Sequence, residues 1–133
     1  MFARALASCA LLALHGCAPS EEITHPIWSI AGAGEAGFAE QCEPWDDWDK
    51  PADPFRVHGN TYYVGTCGIS ALLIVGEKSH FLLDTGTETG ADVVLENIRK
   101  LGVEPLEIFA VGYSHEHFDH VGGMAKVIEV TGA

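Results

Sequence analysis

Apolar positions fall into blocks along the chain, and the spacing inside each block differs from the next. Ala5 to Leu14 is mainly apolar, and residues 18–44 show no sustained period and are rich in Gly, Ala and Glu. Phe55 to Val57 and Thr61 to Val64 are short β-rich runs separated by Gly59-Asn60, a turn pair, which predicts a hairpin. Ile69 to Val75 and His80 to Leu83 are continuous apolar runs with Gly76 to Ser79 turning between them, the pattern of strands buried on both faces. Ala91, Val94, Leu95, Ile98 and Leu101 then recur at helical spacing. Thr89 is placed to cap that helix, Asp92 falls in its first turn and Gly102 closes it. Leu106 to Val111 returns to strand, and a second helix is predicted from Met124 towards Val130, after Gly122-Gly123. Strand–strand–helix–strand–helix is half of a layered α/β domain.

Charge and composition narrow the class of function. The chain has 133 residues with 7 Lys+Arg against 19 Asp+Glu, a formal net charge of −12. That excludes nucleic-acid binding through a basic surface, because the chain repels phosphate backbones. A hydrophobic content of 47% with three Trp, three Tyr and six Phe excludes wholesale disorder. No apolar run reaches the ~20 residues a membrane-spanning helix needs.

The beginning of the chain predicts export. Arg4 supplies a positive charge ahead of the apolar stretch, so residues 1–16 read as a signal peptide. Leu14-His15-Gly16-Cys17 resembles a lipobox, which makes Cys17 a lipidation candidate and the only route to a membrane. Ordinary cleavage near Gly16-Cys17-Ala18 would instead release a soluble periplasmic protein. Residues 17–44 then form a tether and N-terminal arm, and residues 45–133 the folded part. Either outcome implies an oxidising compartment. Cys9 leaves with the signal and Cys17 is lipidated or removed, so Cys42 and Cys67 remain, as a disulfide or as two free thiols. A bridge would close a loop of 67 − 42 = 25 residues and stabilise by roughly 3 kcal/mol on the chain-entropy model.

Two motifs compete for the chemistry. Leu82-Leu83-Asp84-Thr85-Gly86 matches the apolar-apolar-Asp-Thr-Gly signature of aspartic proteases, in which two aspartates share one proton. So short a match is common, and an Asp ending a strand and binding turn amides explains it as well. The richer motif is Ser114-His115-Glu116-His117-Phe118-Asp119-His120. On an extended segment His115, His117 and Asp119 project to one face, and a turn swings His120 round to join them. Imidazole and carboxylate donors suit Zn²⁺. A helical His-Glu-x-x-His site is excluded, because four residues after His115 stands Asp119. The bland alternative is a solvated His-rich loop, or histidines capping the following helix.

His-x-His-x-Asp-His followed by Gly-Gly resembles the signature of the metallo-β-lactamase fold. The stretches Trp48-Asp-Lys-Pro51-Ala-Asp-Pro54-Phe55-Arg-Val57, Asn60-Thr-Tyr-Tyr-Val-Gly-Thr66 and Gly68-Ile-Ser-Ala71-Leu-Leu-Ile74 narrow the resemblance to its subclass B3 β-lactamases. Phe81 to Gly86, Asn97-Ile98, Leu101-Gly102 and Ser114 to Gly123 continue it, so that it covers residues 45–133. The resemblance implies an αββα sandwich of which this chain supplies the N-terminal αβ half. It implies two zinc ions, the first held by His115 and His117 and the second by Asp119 and His120, with Asp84 beneath them orienting the loop. It also implies hydrolysis of the β-lactam amide by a metal-bound hydroxide that Asp119 orients, hence antibiotic resistance by a monomer acting on a small-molecule substrate. No covalent acyl-enzyme is required, and the chain has no Ser-x-x-Lys motif. Some members share a Cys before the Trp and another after Val-Gly-Thr, which favours the Cys42–Cys67 bridge.

Departures from the family pattern are equally specific. Each family zinc has a third His ligand from the C-terminal half, and no His follows His120. His25, His58 and His80 match no ligand position, and surface or turn roles are expected of them. The expectation is therefore an N-terminal portion of a longer enzyme, inactive by itself. Two alternatives stay open: another hydrolase of the superfamily acting on thioesters, lactones or phosphoesters, and an inert zinc-binding fragment.

Overall fold

A computed structural model describes residues 34–133 of the protein. Residues 1–16, expected to be a signal peptide, lie outside the described residues, as do Cys17 and His25. No helix among the described residues is long and apolar enough to cross a membrane.

The hairpin expected around Gly59-Asn60 forms from β1 (Phe55–His58) and β2 (Thr61–Tyr63), with Gly59 at φ +54° as the tight turn requires. β3 (Leu72–Val75) and β4 (His80–Leu83) extend the antiparallel meander, Leu72 opposite Leu83 and Val75 opposite His80. The β3 strand is shorter than the apolar run suggests. Ile69 to Ala71 instead fold back on the Val64–Thr66 turn, Val64 donating to the Ala71 carbonyl at 2.9 Å and Thr66 to that of Ile69 at 3.0 Å. From β4 the chain crosses through helix α2 (Gly90–Lys100) and returns as β5 (Ile108–Gly112), parallel to β4. The five strands lie in the order β1-β2-β3-β4-β5. Leu106, expected in the last strand, belongs to a 3₁₀ turn over Pro105–Glu107, which Pro105 starts by fixing φ at the first helical position.

One sheet face carries the core. Tyr62, Leu73 and Leu82 stand side by side across β2, β3 and β4 and are fully buried under Ala91, Val94, Leu95 and Ile98 of α2. Val127 of the helix Met124–Thr131 closes the cluster. Leu72, Ile74, Phe81 and Leu83 on the opposite face are only half-buried, so the expectation of strands covered on both sides holds for one side alone. Against the edge of that second face packs α1 (Gly34–Gln41), which the sequence pattern did not predict. Its Phe38 meets Phe55 and Tyr63 with ring centroids 5.5 and 5.1 Å away.

Two side-chain devices bind the N-terminal segment to this frame. Cys42 and Cys67 are joined in a disulfide, with Cα atoms 5.3 Å apart. Asn97, buried in α2, donates through Nδ2 to the carbonyls of Ala52, Val64 and Gly65 at 2.9, 3.1 and 3.1 Å. His80, expected at the surface or in a turn, is buried at the start of β4, where its Nδ1 accepts from the Gly76 amide at 3.3 Å. Strand alternation places it on the core face, as neighbour of Leu82. His58 is exposed, as expected.

Candidate metal centre

β4 and β5 run parallel and end together, so Asp84 and Ser114 emerge beside one another although 30 residues separate them. Open α/β sheets place ligand sites outside the carboxyl ends of such strands. Asp84 adopts φ +64°, a left-handed conformation rare for a residue with a side chain and costing about 1–3 kcal/mol. Its hydrogen bonds hold it there. Oδ1 accepts from the Ser114 amide at 2.7 Å, and Oδ2 accepts from the Ser114 hydroxyl at 2.8 Å and lies 2.9 Å from Nδ1 of His120. Asp84 thus ends a strand as expected, but it binds the amide of the neighbouring strand end rather than of its own turn.

Burial pushes the Asp84 carboxyl up. Hydrogen bonds from the Ser114 amide, the His120 ring and the Ser114 hydroxyl together outweigh this and leave it below the usual carboxylate range. Ionised, Asp84 only accepts hydrogen bonds, so Nδ1 of His120 carries the proton and Nε2 presents its lone pair. The same reasoning reaches His115. The one hydroxyl hydrogen of Ser114 goes to Asp84, so Ser114 Oγ acts as acceptor towards His115 Nδ1, 3.0 Å away, which frees His115 Nε2. Sequence reasoning missed Ser114 as a site residue. Its role depends on Asp84, and local sequence carries no signal of that pairing.

The His-rich segment is not extended. Residues 114–116 bend and His117 occupies the N-cap position, but its side chain makes no capping hydrogen bond. Asp119 and His120 fall in the short helix α3 (Phe118–Val121). The donors therefore converge through a bend and a helical turn, not through strand alternation. The His115 ring centroid lies 4.5 Å from that of His117 and 4.1 Å from that of His120. Asp119 Oδ2 is 3.5 Å from His120 Nε2, close to the ~3.4 Å edge of a ligand tetrahedron around an ion bound at about 2.1 Å. His115, Asp119 and His120 are half-buried and His117 is exposed, so the donor cluster is open to solvent. Three imidazoles and a carboxylate are a donor set for zinc-like cations. The four donors do not form one closed shell. Among the described residues, the trio with all ligand atoms within 4.8 Å is Cys42, Asp46 and Cys67, and its sulfurs are joined to each other.

What grips this segment from behind is the loop after β4. The Thr85 amide and hydroxyl donate to the His120 carbonyl at 2.9 and 3.1 Å, and the Gly123 amide donates to the Gly86 carbonyl at 3.0 Å. The approach is so close that only glycine fits at two adjacent positions. A Cβ on Gly122 would lie 2.6 Å from the Phe118 carbonyl oxygen and 3.0 Å from the Glu88 amide. On Gly123 it would meet Ala91 Cβ at 2.5 Å and the Thr85 oxygen at 2.7 Å. Helix α4 (Met124–Thr131) starts directly from this contact. Thr89, expected to cap α2, makes no capping bond, and Thr87 Oγ1 instead accepts from the Gly90 amide at 2.9 Å. The Thr89 hydroxyl is turned to Asp49.

Residues 64–133 match the family model of the metallo-beta-lactamase superfamily, and the chain belongs to that superfamily. Its solved relatives narrow the likeness further. The MIM-2 metallo-beta-lactamase is 52% identical with a TM-score of 0.71, over 74% of this chain and 37% of that one. MEM-A1, a subclass B3 metallo-beta-lactamase from a soil metagenome library, is 42% identical with a TM-score of 0.64, over 65% of this chain and 33% of that one. A curated relative is 37% identical over 65 residues: the 7,8-dihydropterin-6-methyl-4-(beta-D-ribofuranosyl)-aminobenzene-5'-phosphate synthase of Methanocaldococcus jannaschii. That match takes in 47% of this chain and 21% of the relative. The chain thus spans about a third of the solved relatives and about a fifth of the curated one.

Proposed function

We propose that the cluster binds two Zn²⁺ ions, one at His115 and His117 and one at Asp119 and His120, and that the polypeptide carrying it hydrolyses the amide bond of β-lactams. The observation that carries the reading is the orientation of the donors. Asp84 fixes the tautomer of His120 and, through Ser114, that of His115, so both rings present Nε2. Neighbours that fix a metal-binding histidine in this way are typical of built sites. Zinc supplies Lewis acidity there, lowering the pKa of a water to about 7 and polarising a carbonyl oxygen.

The chain's own residues supply position and proton handling. Asp119 is a hydrogen-bond acceptor beside His120 Nε2, placed to orient a water for attack on the lactam carbonyl. Asp84 keeps its negative charge behind His120 and so favours electron donation through the ring. Likeness to metallo-β-lactamases at 42–52% identity, MEM-A1 of subclass B3 among them, supports a β-lactam as the small-molecule substrate and a hydrolase as the class. The signal-like pattern of residues 1–16 supports a periplasmic location, either anchored by a lipid at Cys17 or released as a soluble protein.

Nitrocefin turnover by a longer polypeptide that includes residues 17–133, set beside residues 17–133 alone, tests the reading, with turnover expected of the first and none of the second. Hydrolysis that a zinc chelator abolishes and added zinc restores is expected, with at least a hundredfold loss in Asp119→Asn. The synthase relative favours a second reading, a superfamily member with a different substrate. Zinc-dependent turnover of a lactone, thioester or phosphoester without nitrocefin hydrolysis would establish that reading in place of the first.

A further inference from the structure

We infer that Asp49 is a positioning residue of the metal centre, acting through Thr87 and Thr89 on the loop that holds His120. Both of its carboxylate oxygens are committed to that loop: Oδ1 accepts from the Thr87 hydroxyl and Oδ2 from the Thr89 hydroxyl. These contacts join residues 38 and 40 positions apart. Among the described residues Asp49 forms no ion pair, so its charge is balanced by the two hydroxyls and by the N-terminus of α2.

The segment bearing Asp49 is itself held fast. The Thr66 hydroxyl donates to the Trp48 carbonyl, and the Cys67 amide donates to the Lys50 carbonyl at 2.8 Å. Space is also reserved for the carboxylate, since a Cβ on Gly90 would lie 2.8 Å from Asp49 Oδ1. From Thr87 the path to the metal centre is short. Thr87 is two residues from Thr85, which holds the His120 carbonyl, and one from Gly86, whose carbonyl receives the Gly123 amide. Asp49 therefore fixes the far side of a loop whose near side, at Thr85, holds the His120 carbonyl. Losing it frees the loop to shift, and His120 moves relative to Asp119. The inference rests on the zinc reading above for its consequence at the metal, but not for the Asp49–loop link.

The two parts separate in one set of measurements on the full chain. In zinc-free protein, Asp49→Ala is expected to speed hydrogen exchange at the Thr85 and Gly123 amides at least tenfold while the β3–β4 ladder is unchanged. Competition against a fluorescent zinc chelator is expected to show about tenfold weaker binding of one zinc equivalent and no change in the other. Thr87→Ser retains the hydroxyl and is expected to leave both readouts at the parent values. Thr87→Val is expected to show at least the effect of Asp49→Ala, because it also removes the acceptor of the Gly90 amide, and the double variant to be no worse than Thr87→Val alone. Thr87→Val is nearly isosteric, so it carries the test if Asp49→Ala does not fold. Unchanged exchange at Thr85 and Gly123, or a uniform rise including the strands, would overturn the link. Local exchange changes with unaltered zinc binding would overturn the positioning role. Failure of the parent chain to bind zinc would instead sink the zinc reading, with the exchange arm still deciding the link.

Discussion

Replacing Gly123 by alanine isolates the contact on which the centre is built. Gly123 has φ −83° and ψ −3°, a conformation alanine adopts freely, so no backbone penalty enters. The added methyl carbon would sit 2.5 Å from Ala91 Cβ, 2.7 Å from the Thr85 oxygen and 3.0 Å from the Thr87 oxygen. Two of these are backbone atoms of the loop that grips His120, and the third belongs to α2, so no flexible side-chain end is there to yield. Forcing a methyl into such a packed contact costs about 1–3 kcal/mol. For a domain of this size that corresponds to a melting temperature lower by roughly 5–20 °C. Thermal unfolding followed by circular dichroism reads the change. Gly132→Ala is the control: at φ +73° it strains the backbone by about 1 kcal/mol but meets nothing within 4 Å. Zinc affinity should fall in Gly123→Ala and stay level in Gly132→Ala. A Gly123→Ala protein as stable as the parent, with unaltered zinc binding, would refute the view that close approach of α4 to this loop shapes the site.

Other outcomes follow from the packing and charge around the centre. Asn97→Leu keeps the volume but strips the Ala52, Val64 and Gly65 carbonyls of their buried donor, and should cost roughly 2–3 kcal/mol in urea unfolding. Reducing the Cys42–Cys67 bridge, which closes a separation of 25 residues, should cost roughly 3 kcal/mol on the same assay, and Cys42→Ser should show no further loss on reduction. Gln41, and then Lys100 by hydrogen bond and charge, hold the Asp53 carboxyl below its usual range. Below about pH 4 the unfolded chain takes up that proton while the folded one resists it, so this contribution is present above that pH and lost as pH falls through the lower folded value. Comparing urea midpoints at pH 6 and pH 3 should therefore show a smaller acid loss in Asp53→Asn than in the parent.

Much of the frame was legible in the residue pattern. The hairpin at Gly59-Asn60, the apolar β3 and β4 runs, the helix carrying Val94, Leu95 and Ile98, and the close at Gly102 each come from interactions within a few residues. Helix α1 was not legible, because Phe38 is its one large apolar residue and binds only through rings supplied by Phe55 and Tyr63. The exact cap of α2 was also hidden. Thr87 and Thr89 are equally good capping residues locally; both hydroxyls donate to Asp49, far away in the chain, and Thr87 takes the Gly90 amide.

The sequence by itself determined which chemistry is possible: three imidazoles and an aspartate within six residues, a net charge of −12, and Gly-Gly after the motif. How those donors meet was decided only by the tertiary structure. Strand alternation would have aligned His115, His117 and Asp119, whereas the structure bends the segment and places Asp119 and His120 in a helical turn. The physical reason lies in groups distant along the chain. Asp84 takes up both the amide of Ser114 and the ring of His120, and Thr85 takes up the His120 carbonyl. These bonds exist because β4 and β5 are parallel neighbours, a pairing that requires the α2 crossover and that no local pattern encodes.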